Sequence, residues 1–289
     1  MICNLCPHSC GAERTETRAG GVCAMPSAPV CAKAQLHLWE EPCLVGEHGA
    51  GTVFFSGCNL RCCFCQNGVI SREGFGRPIT PERLREIYRE LIAQGAACID
   101  LVTPTHFTPV IRESLDEPPG VPVVWNSGGY EKPETLRTLE GRVQVYLPDL
   151  KYALPGPAGR YSAAEDYFDW ASRAIREMFR QTGPYRMENG LLTSGVLIRH
   201  LLLPGEAENT RRVIDWVSET FRPGDVLFSL MSQYTPQKGA KGTLARRVTR
   251  AEYAAACAYL ENCGITDGYT QERTSAKEEY TPAFDLTGI

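Results

Sequence analysis

Gly51-Thr52-Val53-Phe54-Phe55-Ser56 runs directly into Gly57-Cys58-Asn59-Leu60-Arg61-Cys62-Cys63-Phe64-Cys65-Gln66-Asn67. The first half is short, apolar and rich in β-formers, and reads as a buried strand. The second half carries Cys58, Cys62 and Cys65 at C-x3-C-x2-C spacing. The cysteines therefore sit on the loop after a strand, where α/β folds collect their chemistry. Three thiolates at such close spacing suit an iron–sulfur cluster. A cubane [4Fe–4S] cluster held by three protein ligands keeps one iron open to a small chelating ligand. A closed zinc site would need a fourth ligand, from Cys63 or elsewhere.

Outward from this loop, the pattern repeats. Thr80 as N-cap and Pro81 at N1 start a helix, with Leu84, Ile87, Leu91 and Ile92 on one face. Strands are expected at 97–102, 121–125, 143–147, 195–203 and 225–230. Helices are expected near 109–115, over 134–139, over 163–181, from an Asn209 cap to Thr220, and over 250–263 with Gly264 as the stop. Strand and helix alternate about six times, and the strands are near-continuously apolar, as parallel strands buried on both faces are. The expected fold is α/β, a parallel sheet curled into a partial (β/α)6 barrel. Polar residues follow successive strands: Thr103, Thr105 and His106; Asn126 and Ser127; Asp149 and Lys151; Gln233. Such strand ends are where barrel enzymes build their active sites.

Residues 1–45 read as a separate, cysteine-rich segment. Cys3, Cys6, Cys10 and Cys23 are spaced C-x2-C-x3-C-x12-C among turn-forming glycines, with little apolar periodicity. A segment that cannot build a core is expected to fold around a metal, either zinc or an auxiliary iron–sulfur cluster. His8 reads as a bystander. Cys31, Cys43, Cys98, Cys257 and Cys263 read as small core residues. Residues 46–268 are the barrel, and 269–289 a tail packing on it, with plain edge-covering the expected role.

Composition bounds the function. The chain has 289 residues, a net charge of −4 and an isoelectric point near 5.8, against a nucleic-acid binder by bulk charge. No run approaches the roughly 18 apolar residues of a membrane span, and Met1–Cys6 does not read as a signal peptide. Thirteen cysteines in a chain expected to be cytoplasmic point to metal binding over disulfides.

The C-x3-C-x2-C loop, with Phe64 just before its last cysteine, resembles the signature of the radical S-adenosylmethionine (SAM) enzymes. Within that superfamily the chain is similar to the pyruvate formate-lyase activating enzyme group, from about Cys43 to Gly268, and to its PflX-like subfamily. The similarity is densest at the cysteine loop, at Asp149-Leu150-Lys151 and at Ile198-Arg199-His200. It implies the partial barrel independently, together with a [4Fe–4S] cluster on Cys58, Cys62 and Cys65 whose open iron SAM chelates. It further implies reductive cleavage of SAM to a 5′-deoxyadenosyl radical, hydrogen abstraction from a protein, peptide or small-molecule substrate, and reduced flavodoxin or ferredoxin as donor. By position, Asp149 would lie near the SAM ribose or a small cation, and Lys151 would pair with the SAM carboxylate. Phe64, Thr105, His106, Asn126, Ser127, Arg199 and Gln233 complete the expected SAM surroundings. Three features depart from the pattern. Thr103-Pro104-Thr105-His106 stands where Gly-Gly-Glu is usual, Asn126 where the group has Asp, and Gln233 where it has His. Two alternatives stand beside this reading: a glycyl-radical-enzyme activating enzyme, and a non-catalytic iron–sulfur redox carrier.

Overall fold

The computed structural model describes residues 2–271 and 282–289. The first strand, β1 (Val30–His37), leads to a one-turn helix α1 (Pro42–Val45) and then β2 (Ala50–Phe55), which runs into the cysteine loop. After it come α2 (Gly68–Ser71), β3 (Arg77–Pro78), α3 (Pro81–Ala93), β4 (Ile99–Val102), α4 (Thr108–Ser114) and β5 (Val123–Ser127). The chain continues through α5 (Pro133–Arg137), β6 (Val145–Pro148), α6 (Pro155–Ser162), α7 (Tyr167–Thr182), β7 (Arg186–Glu188) and β8 (Leu191–Leu201). It closes with α8 (Ala207–Thr220), β9 (Leu227–Met231), α9 (Arg250–Asn262) and β10 (Gly268–Thr270).

The strands form one mixed sheet in the order β10-β9-β8-β6-β5-β4-β2-β1-β3, with β7 paired to β8. From β2 to β10 every neighbour on that path is parallel. Strand β1 is antiparallel to both β2 and β3, and β7–β8 is an antiparallel hairpin. Side-chain alternation separates two layers. Ile99 and Leu101 of β4 pack outward in one cluster with Leu84, Ile87 and Leu91 of α3. On the other face, Ala50, Val124, Val145 and Leu227, near the N-terminal ends of their strands, and Leu197 of β8 share a second cluster with Cys43 and Leu44 of α1. Ala50 and Leu227 lie on β2 and β9, with four strands between them in the sheet order, so the sheet curls and α1 floors its concave side. This is an α/β architecture consistent with a partial barrel.

Local signals explain most boundaries. The Thr80 hydroxyl accepts from the Arg83 N–H at 3.2 Å, and Thr249 and Glu252 form a reciprocal capping box at α9. Three expectations change. The helix expected over 163–181 begins later, at Tyr167, because Ala163 adopts a left-handed φ of 49° and ends a separate helix, α6, that was not expected. Asn209 does not cap α8: it lies inside the helix, its carboxamide turned to the backbone of Lys151, Ala153 and Leu154. The sheet also takes in residues 30–37 and 268–270, so Tyr269 and Thr270 belong to β10. Of the tail, residues 272–281 lie outside the described residues. Residues 282–289 run beside β1, where Leu286 N–H reaches Ala32 O at 3.0 Å and Thr287 O accepts from Ala34 N–H at 2.9 Å. Phe284 packs edge-on against Phe54 at 5.5 Å.

Candidate active site

The cysteine loop leaves β2 through Ser56-Gly57. Gly57 has φ +79°, and a Cβ there would fall 2.2 Å from Met25 Cγ and 2.9 Å from the Cys23 carbonyl, so only glycine fits. His106 holds the loop's first residue: its Nε2 lies 2.7 Å from Ser56 O. A carbonyl can only accept, so Nε2 carries the proton and Nδ1, buried with no partner, is bare. Burial keeps this ring neutral, its pKa pushed down to about 3.

Cys58, Cys62 and Cys65 lie near enough for their charges to act on one another. Each sulfur has a neighbouring donor. Leu60 N–H reaches Cys58 Sγ at 3.4 Å, Ser162 Oγ reaches Cys62 Sγ at 2.9 Å, and Ser71 Oγ reaches Cys65 Sγ at 3.3 Å. Tyr152 Oη lies 2.8 Å behind Ser162 Oγ and orients it. Burial pushes the Cys58 thiol up and the Cys62 thiol up to about 12, while Lys151 pulls Cys62 the other way. A coordinating metal deprotonates such thiols outright. Among the described residues no three His, Cys, Asp or Glu side chains are closed on one point as a metal-holding group. The donor set nonetheless fits an iron–sulfur centre: three soft sulfurs from one loop, each backed by an N–H or O–H, which is how protein tunes such centres. Cys63 is exposed and turned away, its N–H bonded to Tyr161 O at 2.9 Å.

Beside the loop stands the Asp149-Leu150-Lys151 strand end. Lys151 Nζ lies 2.5 Å from Asp149 Oδ2. The backbone here is fixed from three sides. Tyr167 Oη accepts from Lys151 N–H at 3.0 Å. Asn209 Nδ2 donates to Lys151 O at 3.0 Å. His200 Nδ1 donates to Leu150 O at 2.7 Å, and burial pushes its pKa down to about 4. Burial works against the Asp149 charge, but Lys151 and Arg199 outweigh it and hold that carboxyl below its ordinary range.

Arg199 does not point to open space. Its guanidinium spans Asp149 Oδ1 at 3.0 Å, Glu40 Oε2 at 3.2 Å and Asn126 Oδ1 at 2.6 Å. Asn126 Nδ2 in turn lies 3.4 Å from Asp100 Oδ2. Burial, then the Asp100 charge, push Glu40 up to about 8, and burial pushes Asp100 up to about 7. Thr105 and Ser127 are also committed within the protein. Thr105 Oγ1, Trp125 Nε1 and Ser127 Oγ all donate to the buried Glu131 carboxylate, at 2.9, 2.8 and 2.7 Å. Phe64 sits edge-on to Tyr161 and Tyr234, with ring centroids 6.2 and 6.3 Å away. Gln233 joins the loop to the residue after β10: its carbonyl accepts from Gln66 Nε2 at 3.4 Å and its Oε1 from Gln271 Nε2 at 3.3 Å.

The structure thus brings Cys58, Cys62, Cys65, Asp149 and Lys151 together, and gives Thr105, His106, Ser127 and Arg199 partners inside the protein. Glu40, Asp100, Glu131, Ser71, Ser162 and Tyr167 were not foreseen. Asp100 had a signal, a carboxylate in the middle of the apolar run Ile99–Val102. The others meet the site through the fold alone.

No protein-family model matches the chain. An uncharacterized protein of Methanocaldococcus jannaschii, MJ0674, is 29% identical over 277 residues, 91% of this chain and 75% of that protein. Among solved structures, Streptococcus suis SuiB bound to S-adenosylmethionine superposes with a TM-score of 0.52 at 14% identity, over 77% of this chain and 47% of SuiB. SuiB bound to its precursor peptide SuiA gives 0.52 at 13% identity, over 74% of this chain and 46% of SuiB. The chain spans about half the length of the SuiB chains it matches, and the likeness is one of fold.

Proposed function

We propose that this chain is a radical SAM enzyme, with a [4Fe–4S] cluster on Cys58, Cys62 and Cys65. The observation that carries the reading is the set of three loop thiols, each facing a hydrogen-bond donor, with Lys151 beside Cys62. The shared fold with SuiB, a protein solved with S-adenosylmethionine bound, supports it. Held by Cys58, Cys62 and Cys65 and reduced by a flavodoxin- or ferredoxin-type donor, the cluster would supply the one electron that reductive cleavage of SAM to methionine and a hydrogen-abstracting 5′-deoxyadenosyl radical requires, the hydrogen coming from a protein, peptide or small molecule.

The chain's own residues prepare that event. Lys151, fixed through its backbone and paired with Asp149, presents a cation for a carboxylate of the ligand. Arg199, itself held by Asn126, bonds Asp149 and with Lys151 keeps it ionised. Phe64, Tyr161 and Tyr234 form an aromatic wall that keeps water from the loop. Ser71 and Ser162 donate to sulfur and make added negative charge on the thiolates easier to bear.

The test is anaerobic reconstitution with iron and sulfide, followed by analysis of bound iron and of the reduced protein's electron paramagnetic resonance spectrum with and without SAM. The reading expects about four irons at the loop and a spectrum that changes with SAM. A Cys58→Ala, Cys62→Ala, Cys65→Ala variant lacks both. A spectrum indifferent to SAM would favour a redox carrier over an enzyme.

A further inference from the structure

Cys3, Cys6, Cys10 and Cys23 take no part in the site above, yet the fold gathers them on two tight turns. In the first, Cys3 N–H bonds Ala12 O at 2.9 Å, Gly11 N–H bonds Cys3 O at 3.1 Å and Ser9 N–H bonds Cys6 O at 3.0 Å. In the second, Ala24 N–H bonds Gly21 O at 3.1 Å, presenting Cys23 at its tip. The turns meet at Gly21, where a Cβ would stand 2.8 Å from Cys10 Sγ. Cys6 lies within range of the charges of Cys3, Cys10 and Cys23, and Cys23 within range of Cys3 and Cys10. Independently, the fully buried Arg14 points its guanidinium at this group. Its Nη1 lies 3.4 Å from Cys3 Sγ, and its charge favours the thiolate of Cys23. His8 is spent elsewhere, its Nε2 lying 2.7 Å from Asn59 O on the cysteine loop.

We propose that these four cysteines bind one zinc-type divalent cation as a tetrathiolate, and that the metal-tied segment is a clamp on the cysteine loop. Four thiolates around a divalent ion carry a net charge of about −2, which the buried Arg14 partly offsets. On binding, each thiol releases its proton to solvent and the ion sheds its water. Among the described residues the sulfurs are not closed on one point, so uptake draws the two turns together. The segment is already seated where a clamp would act. His8 holds Asn59, Arg61 Nη1 donates to Val22 O at 3.2 Å, Met25 and the Cys23 carbonyl cover Gly57, and Thr135 Oγ1 donates to Leu5 O at 2.7 Å. A segment this poor in apolar residues gains its order from the ion.

The test uses the full chain with Cys58→Ala, Cys62→Ala and Cys65→Ala, so that metal at the loop does not enter the reading. Titrated with Co²⁺ and then Zn²⁺, this triple variant is expected to bind about one equivalent. Thiolate-to-cobalt charge-transfer absorption should appear, Zn²⁺ should displace it, and Zn²⁺ should raise Tm. Adding Cys6→Ser or Cys23→Ser abolishes all three, while far-ultraviolet circular dichroism shows the barrel still folded. No uptake by the triple variant, uptake that survives both serine changes, or assembly of a sulfide-containing iron cluster there would each overturn the proposal. Because the loop cysteines are absent, none of these outcomes bears on the radical SAM reading.

Discussion

Arg199 Nε lies 3.0 Å from Asp149 Oδ1, with both side chains less than a fifth exposed. The pair ties β8 to the end of β6, and the same guanidinium reaches Glu40 at the barrel floor. Breaking a buried pair costs up to about 3–5 kcal/mol, and because Lys151 still faces Asp149 the loss of Arg199 is expected at the lower end of that range. Arg199→Met is therefore expected to lower stability by that order in urea denaturation. Arg199→Lys keeps the charge but loses the planar fork, and is expected to fall between the two. A Met variant as stable as the parent would remove Arg199 from its place as the anchor of Asp149.

The same cluster sets a pH dependence. Burial, then the Asp100 charge, hold Glu40 near about 8, and burial holds Asp100 near about 7. Unfolded carboxyls titrate near about 4. A carboxyl whose folded pKa is raised stabilises the fold fully below its unfolded value, and that contribution is lost as pH rises through the folded value. Asp149, held low, has its window in acid and does not offset this loss. Stability is thus expected to decline between about pH 5 and pH 8.5. Glu40→Gln should flatten the slope in urea melts, and an unchanged slope would contradict the assignment.

Ser162 and Ser71 donate to Cys62 and Cys65. Hydrogen bonds to ligating sulfurs stabilise the more negative, reduced centre. Ser162→Ala and Ser71→Ala are each expected to leave iron content unchanged and to make the cluster harder to reduce, read by redox titration. A potential that rises, or stays put in both variants, would count against these bonds.

Lys151 is expected to bind the ligand without holding iron. A charge-assisted bond is worth about 1.5–3 kcal/mol, so Lys151→Ala should weaken SAM binding on the order of 10- to 100-fold in Kd. Its reconstituted iron content should match the parent's. Unchanged affinity by equilibrium dialysis would place the carboxylate elsewhere.

The parts of this molecule legible in the sequence are those set by neighbours in the chain. Thr80-Pro81 capped α3 as expected because capping is decided within one helical turn. The parallel strands announced themselves as apolar runs, and the loop cysteines by their spacing. Ala163 put off the start of an expected helix to Tyr167, and a left-handed alanine leaves no mark in composition. Asn209, a good cap by type, is inside its helix because its carboxamide satisfies the Lys151–Leu154 backbone. Glu40, Asp100 and Glu131 come from three different loops or strands, and only the curled sheet brings them to Arg199, Asn126 and Ser127. Arg199, expected among the SAM surroundings, has three partners within the protein, Asp149, Glu40 and Asn126, that its neighbours in the chain gave no sign of.

The most direct test of the central claim is the anaerobic assay of SAM cleavage. Wild type and the Cys58→Ala, Cys62→Ala, Cys65→Ala variant are reconstituted, reduced and given SAM, and 5′-deoxyadenosine is quantified. The account predicts 5′-deoxyadenosine and methionine in equal amounts from the wild type and none from the variant. A wild type that holds its iron yet forms no 5′-deoxyadenosine, with SAM unbound, would contradict it.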